Sequence, residues 1–158
     1  MVSGQLSHEM KIEVPATEAW ELYGTLRLAN LVEEVSTLIE KIEVLEGDGG
    51  LGTVLKLTFV PGTPGLSSSS EKFTKIDNEK RVKETEAVEG GYLEMGFTLY
   101  RIRFEVIEEG DDSCIIRSTI EYDVKEEAAA NASYVTIEPL EGIAQIAKSY
   151  LTKNKAAK

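Results

Sequence analysis

The chain has a single cysteine, Cys114, and a single histidine, His8. One cysteine rules out an intrachain disulfide, and one Cys with one His falls short of a zinc site. Cys114 lies in the apolar stretch Ser113-Cys114-Ile115-Ile116, which predicts a core thiol rather than a nucleophile. A Ser-His-Asp triad would have to use His8, which falls in the first predicted strand, so that chemistry is set aside. Basic residues are also scarce, with 17 Lys and Arg against 28 Asp and Glu and a formal net charge of −11. Such a surface repels phosphate backbones and anionic headgroups, so neither nucleic acid nor membrane is expected as a partner. No apolar run reaches membrane-spanning length, and Met1-Val2-Ser3-Gly4-Gln5 carries no basic patch leading into one. A cytoplasmic location is the expectation, and the sequon Asn131-Ala132-Ser133 is read as an accident of a helical stretch. No metal or cofactor is expected.

What is present suffices for a core. The 158 residues are 42% apolar, which suits one domain over residues 1–158. Leu6, Met10, Ile12 and Val14 alternate along a first strand from about Gly4 to Val14. Pro15-Ala16-Thr17 ends it, and Thr17 is placed to cap a short helix through Gly24 that carries Trp20 and Tyr23 on one face. A second short helix follows over Leu26–Val35. Six strands are predicted next, at Ile39–Leu45, Thr53–Val60, Ser69–Asp77, Arg81–Glu89, Glu94–Ile107 and Ser113–Val124. The breaks between them include Gly47–Gly52, Pro61–Gly65, Gly90-Gly91 and Gly110–Asp112, as in an antiparallel meander. From Glu126 to Lys153, apolar residues such as Ala132, Val135, Ile143, Ala147 and Leu151 recur at helical spacing. They predict one long amphipathic helix kinked at Pro139.

The expected class is therefore α+β, a curved seven-stranded antiparallel sheet wrapped around a long C-terminal helix with two short helices. Small or polar residues at expected in-facing positions, Thr85, Ala87 and Thr98, point to a lined internal cavity. The segment Gly47-Asp48-Gly49-Gly50-Leu51-Gly52 fits G-x-G-x-x-G, but a strand-like run, Thr53 to Phe59, follows it rather than a helix. Without a helix N-terminus there is no phosphate cradle, and Glu46 and Asp48 would repel a phosphate. The loop is read as a strand-to-strand turn needing positive φ angles.

Val44-Leu45-Glu46-Gly47-Asp48-Gly49-Gly50-Leu51-Gly52-Thr53, Glu71-Lys72-Phe73, Ile76-Asp77, Glu79-Lys80-Arg81 and Glu89-Gly90-Gly91-Tyr92-Leu93 together resemble the birch-pollen-allergen, or class-ten pathogenesis-related, superfamily. The likeness covers nearly the whole chain. Thr25-Leu26-Arg27-Leu28-Ala29 and Ala129-Ala130-Asn131-Ala132-Ser133 look like the norcoclaurine synthase and norbelladine synthase branch. The resemblance implies a helix-grip fold around a cavity for apolar and aromatic ligands. It also implies condensation of an arylethylamine with an aldehyde, carried by a tyrosine, a glutamate and a lysine, with an added aspartate in norcoclaurine synthases. Glu71 matches the glutamate and Lys83 the lysine. The tyrosine position falls at Ser68 or Ser69, and the aspartate position at Ile102. A serine hydroxyl is too short to stand in for a phenol.

The residue chemistry is compatible with that role. Dehydrating a carbinolamine needs a proton donor and a base, and a lysine against apolar walls has a depressed pKa suited to both. Alternation puts Glu71 with Phe73, and Lys83 with Thr85 and Ala87, so both can face inward. The other arrangement is a cross-strand ion pair on the outer face. Tyr100, Ile102 and Phe104 share one side of their strand and suit a pocket wall or ordinary core. Met95 and Phe97 fall on the opposite side unless a bulge near Gly96 re-aims them. Tyr134 and Tyr150 either point phenols at a ligand or cover the sheet edge. Two functions remain open: an amine–aldehyde condensing enzyme using Glu71 and Lys83, with Ser68, Ser69, Tyr100, Ile102, Phe104 and Tyr134 at the ligand, or a non-catalytic carrier or sensor of a hormone, flavonoid or alkaloid.

Overall fold

The computed structural model describes residues 1–62 and 67–156. The chain runs β1 (Val2–Ile12), α1 (Ala16–Tyr23), α2 (Arg27–Val35), β2 (Ile39–Glu46), β3 (Val54–Phe59), β4 (Ser68–Asp77), β5 (Val82–Gly90), β6 (Phe97–Glu108), β7 (Cys114–Val124) and α3 (Glu138–Ala156). The strands form one seven-stranded sheet in the order β1-β7-β6-β5-β4-β3-β2, every pair antiparallel. Strands β2 to β7 are a meander, and β1 returns to pair with β7. The helices α1 and α2 therefore carry the chain from one sheet edge to the other. The turn expected at Pro61–Gly65 lies partly outside the described residues.

Register shifts at Ile39/Lys41, Val44/Glu46, Ser70/Glu71, Phe73/Lys75 and Phe97/Leu99 each add a residue to one strand. Such bulges bend and twist a strand, which is how this sheet curls around α3. The helix presents Leu140, Ala144, Ala147 and Leu151, all buried, as a stripe at three- and four-residue spacing. Leu140, Ala147 and Leu151 join a core that includes Ile12, Val106, Ile116, Ile120 and Val124 from the sheet. The two alanines let the helix lie close to the strands. Cys114 is fully buried, and burial pushes its thiol up to about 11, as befits an inert core residue.

On the outer face, Glu86 pairs with Arg101 at 3.4 Å and Glu84 with Arg103 at 2.9 Å, and Arg103 also meets Glu121. These pairs fix the solvent side of β5 and β6. The intervening Lys83, Thr85 and Ala87 consequently point inward.

Four expectations are corrected. The region from Glu126 to Lys153 is not one helix: Glu126–Tyr134 is a 3-10 segment, and α3 starts at Glu138. Pro139 thus sits in the first helical turn, where a missing N–H breaks no bond and no kink results. Thr17 does not cap α1. The helix begins at Ala16, and the Pro15 carbonyl accepts from the amides of Glu18 and Ala19 at 3.1 and 3.2 Å. Strand β6 starts at Phe97 rather than Glu94, because Gly91–Met95 forms a 3-10 turn. Thr98 is exposed and its hydroxyl donates to the Asp123 carbonyl at 3.4 Å, because the Phe97/Leu99 bulge turns it outward and buries Phe97.

Two glycine sites hold the turns that matter for the cavity. The loop after β2 uses positive φ at Gly47, Gly49 and Gly52 and leads into β3, so no helix N-terminus follows it. Gly96 has φ 90°, and a Cβ there would lie 2.4 Å from the Ala128 Cβ. Gly96→Ala is expected to lower the unfolding free energy by about 2 kcal/mol or more, through backbone strain and this collision. Urea unfolding that matches the parent would show that the turn relaxes without loss.

Candidate functional site

The hollow between the sheet, α2 and α3 has two lobes. The inner lobe, of about 80 Å³, is bounded by Leu28 and Val32 of α2, Phe73, Lys83 and Phe104. The outer lobe, of about 120 Å³, is bounded by Ser69, Ala87, Tyr92, Tyr100 and Leu140. Glu71, Thr85 and Ile102 border both lobes and form the waist between them. A dry cavity of about 150 Å³ is enough to admit benzene, so the outer lobe approaches the size for one aromatic ring. The inner lobe suits a smaller group.

Lys83 is only 4% exposed, on the inward side of β5. Its Nζ lies 4.7 Å from the centre of the Phe73 ring and 5.8 Å from that of Phe104, so two aromatic faces take the place of water around the ammonium. Burial pulls its pKa down to about 8, and the Glu71 carboxylate works against that fall. Glu71 is held on β4 opposite Ala87. Burial raises its carboxyl above the ordinary range, while a hydrogen bond from Thr85 and the charge of Lys83 oppose the rise. Each group thus perturbs the other inside a mostly apolar chamber. The alternative of an ion pair on the outer face is excluded, since Glu84 and Glu86 occupy that face.

The remaining candidates separate. Ile102 and Phe104 line the walls, and Phe104 is braced from behind by the Tyr23 ring at 5.2 Å. Tyr100 faces the outer lobe, and burial is the main reason its phenol is shifted upward, with Tyr92 and Glu71 adding to it. Ser69 borders the outer lobe, whereas Ser68 borders neither. Tyr134 is 52% exposed and borders neither lobe. Its backbone carbonyl accepts from the Tyr92 hydroxyl at 3.2 Å. Its segment is a 3-10 turn rather than part of α3, so the helical face on which it was expected does not exist there. Tyr150 is turned to the α2 side, where its hydroxyl accepts from Arg27 at 3.0 Å. His8 sits opposite Ser118 in the β1–β7 pair and borders neither lobe.

Strand patterning missed two contributors. Tyr92 stacks on Tyr100, with ring centres 4.5 Å apart and planes at 24°. It lies in the 3-10 turn after Gly90-Gly91, where alternation no longer applies; the glycine pair was the available signal. Phe73 was seen only as a neighbour of Glu71, yet its ring is the nearest surface to the Lys83 charge.

Residues 1–154 match the profile described as the Pathogenesis-related protein Bet v 1 family. The chain belongs to that family. Among curated members of the Bet v 1 family, norbelladine synthase of Narcissus pseudonarcissus is 48% identical, over 98% of this chain and 96% of its own. Among solved structures, a point mutant of Thalictrum flavum norcoclaurine synthase in complex with a transition-state analogue superposes with a TM-score of 0.89. It is 35% identical and covers 98% of this chain and 97% of its own. The same enzyme in complex with dopamine and hydroxybenzaldehyde gives a TM-score of 0.86 at 35% identity, covering 96% and 88%. The seven-stranded sheet, the two short helices and the long C-terminal helix of this Bet v 1 chain are the fold of those synthases.

Proposed function

We propose that this protein condenses an arylethylamine with an aromatic aldehyde, with Glu71 and Lys83 moving the protons. The observation that carries the reading is the waist: two lobes meet at the half-buried carboxyl of Glu71, and the buried Lys83 lies in the adjoining wall. With the aldehyde ring in the outer lobe and the amine end of the second reactant at the waist, the amine nitrogen and the carbonyl carbon would meet beside Glu71. The similarity to norbelladine synthase and to a norcoclaurine synthase holding dopamine and hydroxybenzaldehyde supports the same chemistry.

The protons balance with these two groups alone. The amine lone pair forms the C–N bond as the carbonyl π pair moves to oxygen. The Glu71 carboxylate takes one N–H proton, and the Lys83 ammonium gives one to the alkoxide, leaving a neutral carbinolamine. Glu71 then protonates the departing hydroxyl, water leaves, and the nitrogen lone pair forms C=N. The iminium N–H proton returns to Lys83, which restores both groups and releases an imine and one water. A lysine near pKa 8 can give and take a proton at neutral pH, where an ordinary lysine would hold it.

Incubation with dopamine and 4-hydroxybenzaldehyde, borohydride trapping and mass detection tests the reading. Trapped amine above the level of the protein-free reaction is the expected result. The serine at the position, Ser68 or Ser69, where the synthases are expected to have a tyrosine is the observation that favours a carrier. Saturable binding of either compound without accelerated product would establish that second reading.

A further inference from the structure

We propose that Tyr100 supplies the phenol that the serine run of β4 lacks, donating its O–H to the carbonyl oxygen of an aldehyde held in the outer lobe beside Glu71. The inference rests on the amine–aldehyde reading. It deepens that reading by assigning the group that orients and polarises the carbonyl.

The placement follows from register. Glu71 is paired with Ala87 across β4 and β5. The β5–β6 pairing ends at Glu86↔Arg101, and the next inward residues along those strands are Ala87 and Tyr100. Glu71, Ala87 and Tyr100 therefore form one transverse row on the cavity wall. Ala87 in the middle has only a methyl group, which leaves the space above it open between the carboxyl and the phenol. Ser69 borders the same lobe from the β4 side. A phenol reaching in from β6 thus serves the space that a tyrosine at Ser69 would serve from β4.

The ring is held for this purpose. It stacks on Tyr92 at 4.5 Å, and Tyr92 is itself tied down by its hydroxyl bond to the Tyr134 carbonyl. Among the described residues the Tyr100 hydroxyl takes part in no hydrogen bond with the protein, so its donor is available to a ligand. Burial and the nearby Glu71 charge keep the phenol protonated well beyond neutral pH, so it donates throughout the working range.

The test compares the parent with Tyr100→Phe, which keeps the ring and the stack, and with the double variant Tyr100→Phe/Ser69→Tyr. Calorimetry reads the affinity of 4-hydroxybenzaldehyde and of 4-methylphenol, which has the same ring and hydroxyl but no carbonyl. Tyr100→Phe is expected to weaken the aldehyde about tenfold, to leave 4-methylphenol within about twofold, and to slow imine formation about ten- to a hundredfold. Ser69→Tyr in that background should recover part of both losses. Unchanged aldehyde affinity in Tyr100→Phe overturns the proposal. So does a parallel loss for 4-methylphenol, or no recovery in a folded double variant that still binds 4-methylphenol. If the parent makes no imine, the condensing reading fails by itself, and the two affinities still decide the role of Tyr100.

Discussion

Lys83→Met is expected to slow imine formation by about 10²–10⁴-fold, the usual worth of a positioned acid–base group. Methionine fills nearly the same volume, so Phe73 and Phe104 keep a neighbour and the lobe keeps its shape. Binding of the aldehyde should change little, since its ring sits in the outer lobe and Lys83 borders only the inner one. The loss should therefore appear in turnover rather than in affinity. The pH profile supplies the second readout. In the parent the rate should fall as pH rises through about 8, where Lys83 gives up the proton it must donate. It should also fall on the acid side at a pH above the ordinary carboxylate range, because burial raises Glu71. The variant should lose the alkaline limb and keep the acid one. A variant with parental turnover and an unchanged profile would make Lys83 a structural residue.

Legibility in the sequence followed the range of the interactions concerned. Alternation is local, so Leu6, Met10 and Ile12 were readable as the inward side of β1, and Lys83, Thr85 and Ala87 as one side of β5. Which side faces the cavity depends on where α3 lies, more than fifty residues later in the chain, and β5 alone does not carry that information. The outward pairing of Glu84 and Glu86 with Arg103 and Arg101 settles it. Bulges were the main source of error. One extra residue at Phe97/Leu99 reverses the side of everything before it, which buried Phe97 and exposed Thr98. That outcome depends on how Gly96 fits against Ala128 in the folded chain. The C-terminal error had a different cause. Ala132 and Val135 keep helical spacing with α3 by coincidence, while Pro139 marks a helix start as readily as a kink. Tyr134 went wrong with that helix. Tyr92 was missed because it sits where the alternation stops.

The double variant Lys83→Met/Glu71→Gln is expected to be more stable than the parent near neutral pH, by about 1–4 kcal/mol, although it should be the worse catalyst. A buried charge pair is opposed by desolvation, and apolar or neutral replacements of similar size often stabilise by that amount. The chamber shows the opposition directly, since burial is the largest influence on both groups and shifts each toward its neutral form. The pH dependence has a defined sign. Lys83 falls from 10.5 to about 8 on folding, so between those values the unfolded chain holds more protons and parental stability rises with pH. That fall corresponds to about 3 kcal/mol, fully relieved only above 10.5. Glu71 is raised on folding, so its contribution is favourable below its ordinary value of 4.5 and is lost as pH climbs through the raised folded value. The advantage of the variant should therefore peak between the two titrations and shrink toward both pH 4 and pH 10. Urea unfolding of both proteins at pH 4, 7 and 10 measures it. An advantage that is flat across the three values, or a parent more stable at pH 7, would mean that Glu71 and Lys83 are not strained by burial, and the case for a lysine poised near neutrality would go with it.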